Sequence, residues 1–246
     1  WRWLFEFIGK SKVPIMNSAG GTEVSGSILH CCLHRPFKVG SFNAPIPGMS
    51  ADILTLDGKK VSTDEMGELV MRKSSIGLTK SLWNDDDRYI KNYWSIIKDF
   101  WVHGDLASKD KDGHWFLHGR SDDTIKVSGK RIGPSELESV IVKSGKAKEV
   151  AAVGIPDENK GSKIILSIVL LENSEEKESY FENLVINDLG KSFKPDKIIF
   201  VKDLPKTRNM KIMRRVIKSC LAKEDPGDIS TLLNPESVEE IRAHAI

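Results

Sequence analysis

The chain has 246 residues, of which 39% are hydrophobic and 29% are charged, and its formal net charge is +2. This length allows two modest domains with ordinary buried cores, and the balanced charge gives no field that favours nucleic acid or an anionic membrane. Apolar runs such as Ile164 to Leu171 fall far short of the roughly 20 residues that a membrane helix needs.

Cysteine content and the first residues bear on the compartment. Cys31, Cys32 and Cys220 have neither the spacing of a zinc site nor the density of a disulfide framework. The vicinal pair is typical of small apolar filling, with redox chemistry as the alternative. The opening run WRWLFEFIGK shows no signal-peptide pattern. We therefore predict a reduced, cytoplasmic protein.

The first half of the chain is predicted to be mostly β-structure. The run VPIMNSAGGTE, from Val13 to Glu23, indicates a buried strand that enters a tight loop. Short β-type runs separated by turn residues follow from about Ser27 to Leu117, which predicts a small distorted β-barrel or sandwich. The polar and aromatic segment from Ser81 to Phe100 interrupts these runs, and we expect it to be helical in part.

The pattern changes after Arg120. Ser135 and Glu138 have capping-box spacing, which predicts that Ser135 caps a helix running to about Ser144. Apolar periodicity predicts three strands, at 149–156, 163–172 and 197–205, and three more helices, at 179–193, 210–222 and 237–246. The predicted fold class is mixed α+β, with a small separate α+β domain at the C-terminal end and a boundary at the polar stretch 120–123.

Two motifs in the first half have the chemistry to bind a nucleotide. In Ala19-Gly-Gly-Thr-Glu23, small residues let the backbone approach a ligand, Thr22 offers a hydroxyl to a phosphate oxygen, and Glu23 offers a hard oxygen to Mg²⁺. Asp105, in WVHGDLA, can accept hydrogen bonds from both hydroxyls of a ribose. Taken alone, each motif is more typical of a turn with a surface carboxylate.

Further candidates lie in GRSDDTIKVSGKRIGPSELE, Gly119 to Glu138. The donor fork of Arg120 suits ribose or phosphate oxygens, although a surface ion pair is the commoner role of such an Arg. Taken alone, Asp122 would be interpreted as the cap of a helix or turn. A side chain at Gly129 would obstruct a ligand threaded against the backbone. The basic pair that contains Arg131 would ordinarily be solvated.

Lys211 lies in LPKTRNMKIMRR, Leu204 to Arg215. Its cation can bridge a carboxylate and an α-phosphate, which lowers the repulsion between two anions and stabilises the charge that builds at phosphorus. A solvated Lys on a basic helix face, or a nucleic-acid patch, is the alternative that KIMRR alone supports equally well.

These four segments resemble the motifs of the adenylate-forming acyl-CoA synthetases, most closely those of the acetyl-CoA synthetase branch. The resemblance runs over essentially the whole chain and implies the C-terminal part of such an enzyme. Residues 1–26 would then end the N-terminal adenylation core, residues 27–119 would be its β-barrel-like subdomain, residues 120–123 the hinge, and residues 124–246 the mobile C-terminal domain.

The resemblance also implies a role for each candidate. Thr22 and Lys211 would be catalytic, and Glu23 would help to hold the metal. The remaining roles are nucleotide binding by Thr22, Asp105, Arg120 and Arg131, a CoA route at Ser128 and Gly129, an acyl pocket at Gly20 and Gly21, and a hinge at Asp122.

The chain departs from the family pattern at several positions. Ala19 replaces an aromatic residue that stacks on adenine in many relatives. Gly20 stands where acetate-specific enzymes have a Trp that closes the acyl pocket, so an acyl group larger than acetyl is expected. Met210 replaces the usual Gly before the Lys. Ile186 lies near the position of an Arg that binds the CoA nucleotide in the acetyl branch, where the substitutes would be Lys191 or Lys194.

The sequence thus predicts an AMP-forming ligase that uses ATP, Mg²⁺, a short or medium acyl carboxylate and CoA, with no covalent intermediate on the protein. The family's phosphate loop would precede Ala19, where only eighteen residues stand. The alternative is therefore an incompetent fragment, or a subunit completed by a separate N-terminal half, and self-association is also open. A third reading keeps adenylation but uses another acceptor, as in carrier-protein ligases and luciferases; the acetyl-branch details argue against it.

Overall fold

The computed structural model describes all of residues 1–246, which form two compact units, Trp1–Ser121 and Asp122–Ile246. Both units contain helices and β-sheets, so the predicted mixed fold class is confirmed. No helix is both long enough and apolar enough to span a membrane.

The first unit is built on two open antiparallel sheets rather than a closed barrel. One sheet has three strands, β1 (Ser18–Gly21), β2 (Gly26–His30) and β3 (Ala44–Pro45). The other has four, β4 (Ala51–Leu54), β5 (Gly67–Met71), β6 (Trp101–Lys109) and β7 (Trp115–Arg120). A single bridge between Phe42 and Trp115 connects the segment before β3 to β7. The distorted barrel or sandwich expected here is therefore not a closed barrel, because no continuous ladder joins the two sheets.

The expected helical interruption is present between β5 and β6. It consists of the short helix α1 (Asp86–Tyr89), capped by Asp85, and a π-helical turn at Ile90–Trp94. Tyr93 on this turn stacks on Trp101 of β6, with ring centroids 5.3 Å apart and planes 1° from parallel. Trp101 is fully buried. The helical segment is thus fixed to the sheet by its aromatic residues.

The second unit is a three-stranded sheet covered by helices on both faces. The strands are β10 (Ala147–Asp157), β11 (Gly161–Leu170) and β12 (Lys197–Phe200), with β10 antiparallel and β12 parallel to β11. The hairpin of β8 (Ile125–Val127) and β9 (Lys130–Ile132) precedes them. The helices are α2 (Pro134–Lys143), α3 (Glu178–Leu189), α4 (Arg214–Leu221) and α5 (Glu236–Arg242).

Strand alternation explains why both faces of this sheet are covered. Val150 and Ala152 point into one core, which contains α2 and α3, whereas Ala151 and Val153 point into another, which contains α4 and α5. Successive side chains of a strand project to opposite faces, so an almost uninterrupted apolar run requires a partner on each side. The predicted strands at 149–156 and 163–172 are confirmed in type and to within two residues at each end.

Two predictions about helix starts were wrong. Helix α2 begins at Pro134, and the Glu136 carboxylate accepts a hydrogen bond from the Gly133 amide at 3.0 Å, so Ser135 is not the cap. A Pro at the first helical position needs no amide hydrogen and has the required φ. Helix α4 begins at Arg214 rather than at Met210, because Met210 has a left-handed φ of 61° that ends any helix there.

Candidate functional site

The Gly-Gly-Thr-Glu motif lies at the end of β1, where the strand turns into a short 3-10 helix at Thr22–Val24. Thr22 is exposed and Glu23 is partly buried. The pairing register of β1 shifts between Ala19 and Gly20, and a Cβ on Gly20 would lie 2.0 Å from the carbonyl oxygen of Gly26. This contact is a sufficient reason for glycine at position 20 without any ligand. The expectation that the acyl group is larger than acetyl therefore stays a prediction.

Asp105 and Arg120 face each other across the β6–β7 ladder. Arg120 Nη1 lies 3.6 Å from Asp105 Oδ1 and donates a hydrogen bond to the carbonyl of His103 at 3.0 Å. The guanidinium lies directly over Gly104, where a Cβ would be 2.6 Å from Nη2 and where φ is +83°. The left-handed backbone at Gly104 favours glycine, and a Cβ there would also displace the Arg120 guanidinium from its present position.

His103 connects this ladder to the Gly-Gly-Thr-Glu motif. Its Nε2 lies 3.3 Å from Asp105 Oδ2, and its Cε1 lies 3.1 Å from the position of a Cβ on Gly21. The imidazole is 7% exposed, and Nδ1 is buried with no hydrogen-bond partner. The side chain thus occupies the space next to Gly21 and helps to orient the Asp105 carboxylate.

Tyr93 is a member of this cluster that sequence reasoning missed. Burial raises the pKa of Tyr93, and a hydrogen bond to the Glu23 carboxylate raises it further, whereas the charge of Arg120 acts in the opposite direction. Through Trp101, which packs against His103 with ring centroids 5.6 Å apart, the Tyr93 ring joins the same cluster. Its one sequence signal is an aromatic residue inside a polar helical segment, which is more often a core residue.

The candidate residues of the second unit lie in the β8–β9 hairpin, at the start of the unit and in a second hairpin that carries Lys211. Ser128 and Gly129 form the two-residue turn between β8 and β9, and both have positive φ, at 50° and 80°. Such turns match the strand twist and favour Gly at the second position. No atom lies within 4 Å of a Cβ built on Gly129. Arg131 is exposed on β9, opposite Lys126, and Asp122 is exposed at the start of the unit.

A cavity of about 540 Å³ adjoins this turn and is lined by basic residues. Lys194 pairs with Glu182 at 2.8 Å, Lys160 pairs with Asp196, and Lys191 is exposed. The two lysines proposed as substitutes for the family's Arg therefore lie in the same cavity as Ser128.

Lys211 lies on a tight hairpin, which corrects the reading of a Lys on a helix face. Lys206 and Ile212 form a bridge, and the Thr207 amide donates to the Lys211 carbonyl at 2.9 Å. The Met210 amide donates to the Thr207 carbonyl at 2.8 Å. Met210 closes this turn and has the left-handed φ. The arrangement is a standard hairpin loop, in which Gly is preferred at the position that Met210 occupies. The Lys211 side chain is exposed.

The residues of this cluster fit a magnesium ion only if substrate phosphates and waters supply most of its ligands. No group of three or more His, Cys, Asp or Glu residues is arranged to hold a metal ion. Mg²⁺ commonly uses one or two carboxylates together with substrate phosphates and waters. Glu23, partly buried beside the exposed hydroxyl of Thr22, is suited to supply one such carboxylate.

The chain is similar to known acyl-CoA synthetases. A family model described as "AMP-binding enzyme C-terminal domain" matches residues 136–211. Acetyl-coenzyme A synthetases of Methanothrix thermoacetophila and Pasteurella multocida are 39% and 38% identical to the chain and cover 97% and 98% of it. The solved acetoacetyl-CoA synthetase of Streptomyces lividans covers 98% of the chain with a TM-score of 0.85 and 22% identity, a likeness of fold.

The matches cover only part of each relative. The chain spans 37% and 39% of the two acetyl-coenzyme A synthetases and 38% of the acetoacetyl-CoA synthetase.

Proposed function

Because the chain belongs to the adenylate-forming acyl-CoA synthetase superfamily and matches the C-terminal part of acetyl-CoA synthetases, we propose that it forms that part of an AMP-forming acid–thiol ligase. The full protein would activate a short or medium acyl carboxylate with ATP and transfer the acyl group to CoA. The phosphate loop and most of the acyl pocket would come from residues outside these 246.

In the first half-reaction, the carboxylate attacks the α-phosphorus of ATP and pyrophosphate leaves. Asp105 holds the ribose hydroxyls, Arg120 binds ribose or phosphate oxygens, and Thr22 donates its hydroxyl to the α-phosphate. Lys211 bridges the carboxylate and the α-phosphate, so its cation stabilises the charge that develops at phosphorus. Mg²⁺, when bound through Glu23, neutralises phosphate charge.

In the second half-reaction, the thiol of CoA displaces AMP from the acyl group. The second unit turns about Asp122, which withdraws Lys211 and brings Ser128 and Gly129 to the thiol route. Arg131 then meets the adenylate phosphate. A hinge of this kind needs a loop residue that absorbs a large backbone change, and Asp122 lies at the start of the second unit.

The observation that carries the proposal is the convergence of two distant motifs in the first unit. A Cβ on Gly21 would lie 3.1 Å from His103 Cε1 and 3.3 Å from Glu23 Oε2. His103 Nε2 in turn lies 3.3 Å from Asp105 Oδ2. Groups suited to phosphate, metal and ribose therefore lie in one cluster, as a nucleotide requires. The 39% identity to an acetyl-coenzyme A synthetase supports CoA as the acceptor.

Product analysis of the full encoded protein tests the proposal. The protein is incubated with ATP, Mg²⁺, CoA and linear carboxylates from acetate to octanoate, and products are identified by mass spectrometry. Acyl-CoA together with AMP is the expected result. ADP as the nucleotide product would contradict it, and acyl-adenylate without thioester would favour a different acceptor. We expect the 246 residues alone to be inactive with the same substrates.

A further inference from the structure

Lys206 is a lysine whose side chain is almost completely buried. It is 7% exposed, and Nζ lies 2.6 Å from Glu149 Oε2 and 2.7 Å from Asp203 Oδ1. A buried ammonium is tolerated only when it is paired. Burial alone would lower the pKa of Lys206, but the adjacent carboxylates of Asp203 and Glu149 outweigh it and raise the pKa. The side chain is therefore held as a cation at one place.

Asn234 ties this ion pair to the backbone. Its Oδ1 accepts from the Lys206 amide at 3.0 Å, and its Nδ2 donates to Asp203 Oδ2 at 2.7 Å and to the Leu204 carbonyl at 2.8 Å. Asn234 is itself 6% exposed. Together, Glu149, Asp203, Lys206 and Asn234 form a polar group, the Lys206 network, in which both the head group and the amide of Lys206 are fixed.

The Lys206 network lies at the base of the hairpin that carries Lys211. Lys206 pairs with Ile212 across the hairpin, and the Leu233 amide donates to the Lys206 carbonyl at 2.8 Å. In the next pair along the hairpin, the Lys211 amide donates to Thr207 Oγ1 at 3.2 Å. No side chain of the second unit pairs with the exposed Lys211 ammonium, so within this unit the hairpin backbone sets the point from which the Lys211 side chain extends.

We propose that Lys206 is a positioning residue for Lys211. The Lys206 network holds residues 206–212 in one conformation, so the ammonium of Lys211 reaches the reacting groups with little loss of loop freedom. Small displacements of a reacting group can cost about 100-fold in rate, so a fixed base for a mobile lysine has a direct catalytic value. The proposal rests on the role of Lys211 in adenylation proposed above.

Hydrogen exchange of this chain tests the structural half without any activity. In Lys206→Met, we expect the amides of residues 207–211 to exchange at least about tenfold faster, with less than about twofold change in β10 and α2. Lys202→Met, which removes an exposed lysine from the same segment, should change neither region. Asn234→Ala provides a second variant should Lys206→Met fail to fold. Unchanged hairpin exchange, or a uniform increase across the second unit, would overturn the proposal.

The two half-reactions of the full encoded protein test the catalytic half. In Lys206→Met, adenylation should fall by about tenfold to 100-fold, whereas thioester formation from supplied acyl-adenylate and CoA should fall by less than about twofold. Lys206→Arg, which keeps the cation, should recover part of the loss. Equal loss in both half-reactions, or none in adenylation, would overturn the proposal. If Lys211→Ala leaves adenylation intact, the proposed function of Lys211 fails instead, and hydrogen exchange still judges the network.

Discussion

Met210 is a non-glycine residue in a left-handed conformation, and Met210→Gly should stabilise the second unit. A side chain at φ +61° costs roughly 1–2 kcal/mol. The added freedom of Gly in the unfolded chain returns about 0.4–1 kcal/mol. Met210 is 60% exposed, so little apolar burial is lost. The net gain should be about 0.5–1 kcal/mol in the free energy of unfolding, or about 2–6 °C in Tm.

The assay must report on the second unit. All six tryptophans lie in the first unit, so tryptophan fluorescence is unsuitable. The required free energy of unfolding is obtained from a urea titration in which hydrogen exchange of peptides from residues 122–246 is the readout. Asn209→Gly is the matched control, because it alters the same loop at a residue without positive φ and should destabilise by about 0.4–1 kcal/mol. Equal effects of the two variants, or destabilisation by Met210→Gly, would refute the strain assigned to position 210.

Three other predictions concern the polar clusters. Gly104→Ala should displace the Arg120 guanidinium and weaken ATP binding by the full protein by about tenfold or more, measured by calorimetry; unchanged affinity would separate this contact from the nucleotide site. The ultraviolet absorbance change that Tyr93→Phe removes should titrate above pH 10, and a removed component that titrates at or below pH 10 would contradict the raised pKa of Tyr93. The raised pKa of Lys206 should contribute stability below pH 10.5, and this stability should be lost as the pH rises through the pKa of the folded state. The lowered pKa of Asp203 should contribute stability above pH 3.8 that is lost as the pH falls. When denaturation is measured across pH, Lys206→Met should lack the loss of stability at alkaline pH.

The sheet of the second unit could be predicted because its signal is local. Apolar residues run almost unbroken through residues 149–156 and 163–172, and such runs require burial on both faces. Helix starts were less accessible to prediction. Ser135 has an acceptable capping pattern, but the neighbouring Pro134 fits the first helical position better, and Glu138 instead pairs with Arg214 at 2.7 Å.

The sequence identified the motif residues of the candidate site, and their roles remain predictions. It did not identify the residues that contact and support them. His103 and Tyr93 join the site through neighbours that lie far away in sequence, at Gly21 and Glu23. Lys206 meets Glu149 only after β10 and the C-terminal segment have packed. No local periodicity encodes such pairings, so a sequence pattern identifies the groups that could touch a ligand more readily than those that hold them.

The most direct test of the central claim is ATP–pyrophosphate exchange by the full encoded protein, comparing Lys211→Ala with Lys218→Ala, an exposed lysine on α4. We predict that exchange depends on an added carboxylate, falls by about 100-fold to 1,000-fold in Lys211→Ala, and is unchanged in Lys218→Ala. Exchange that needs no carboxylate would contradict the assignment of this chain to acyl-adenylate formation, and exchange that survives the loss of Lys211 would contradict the role given to Lys211.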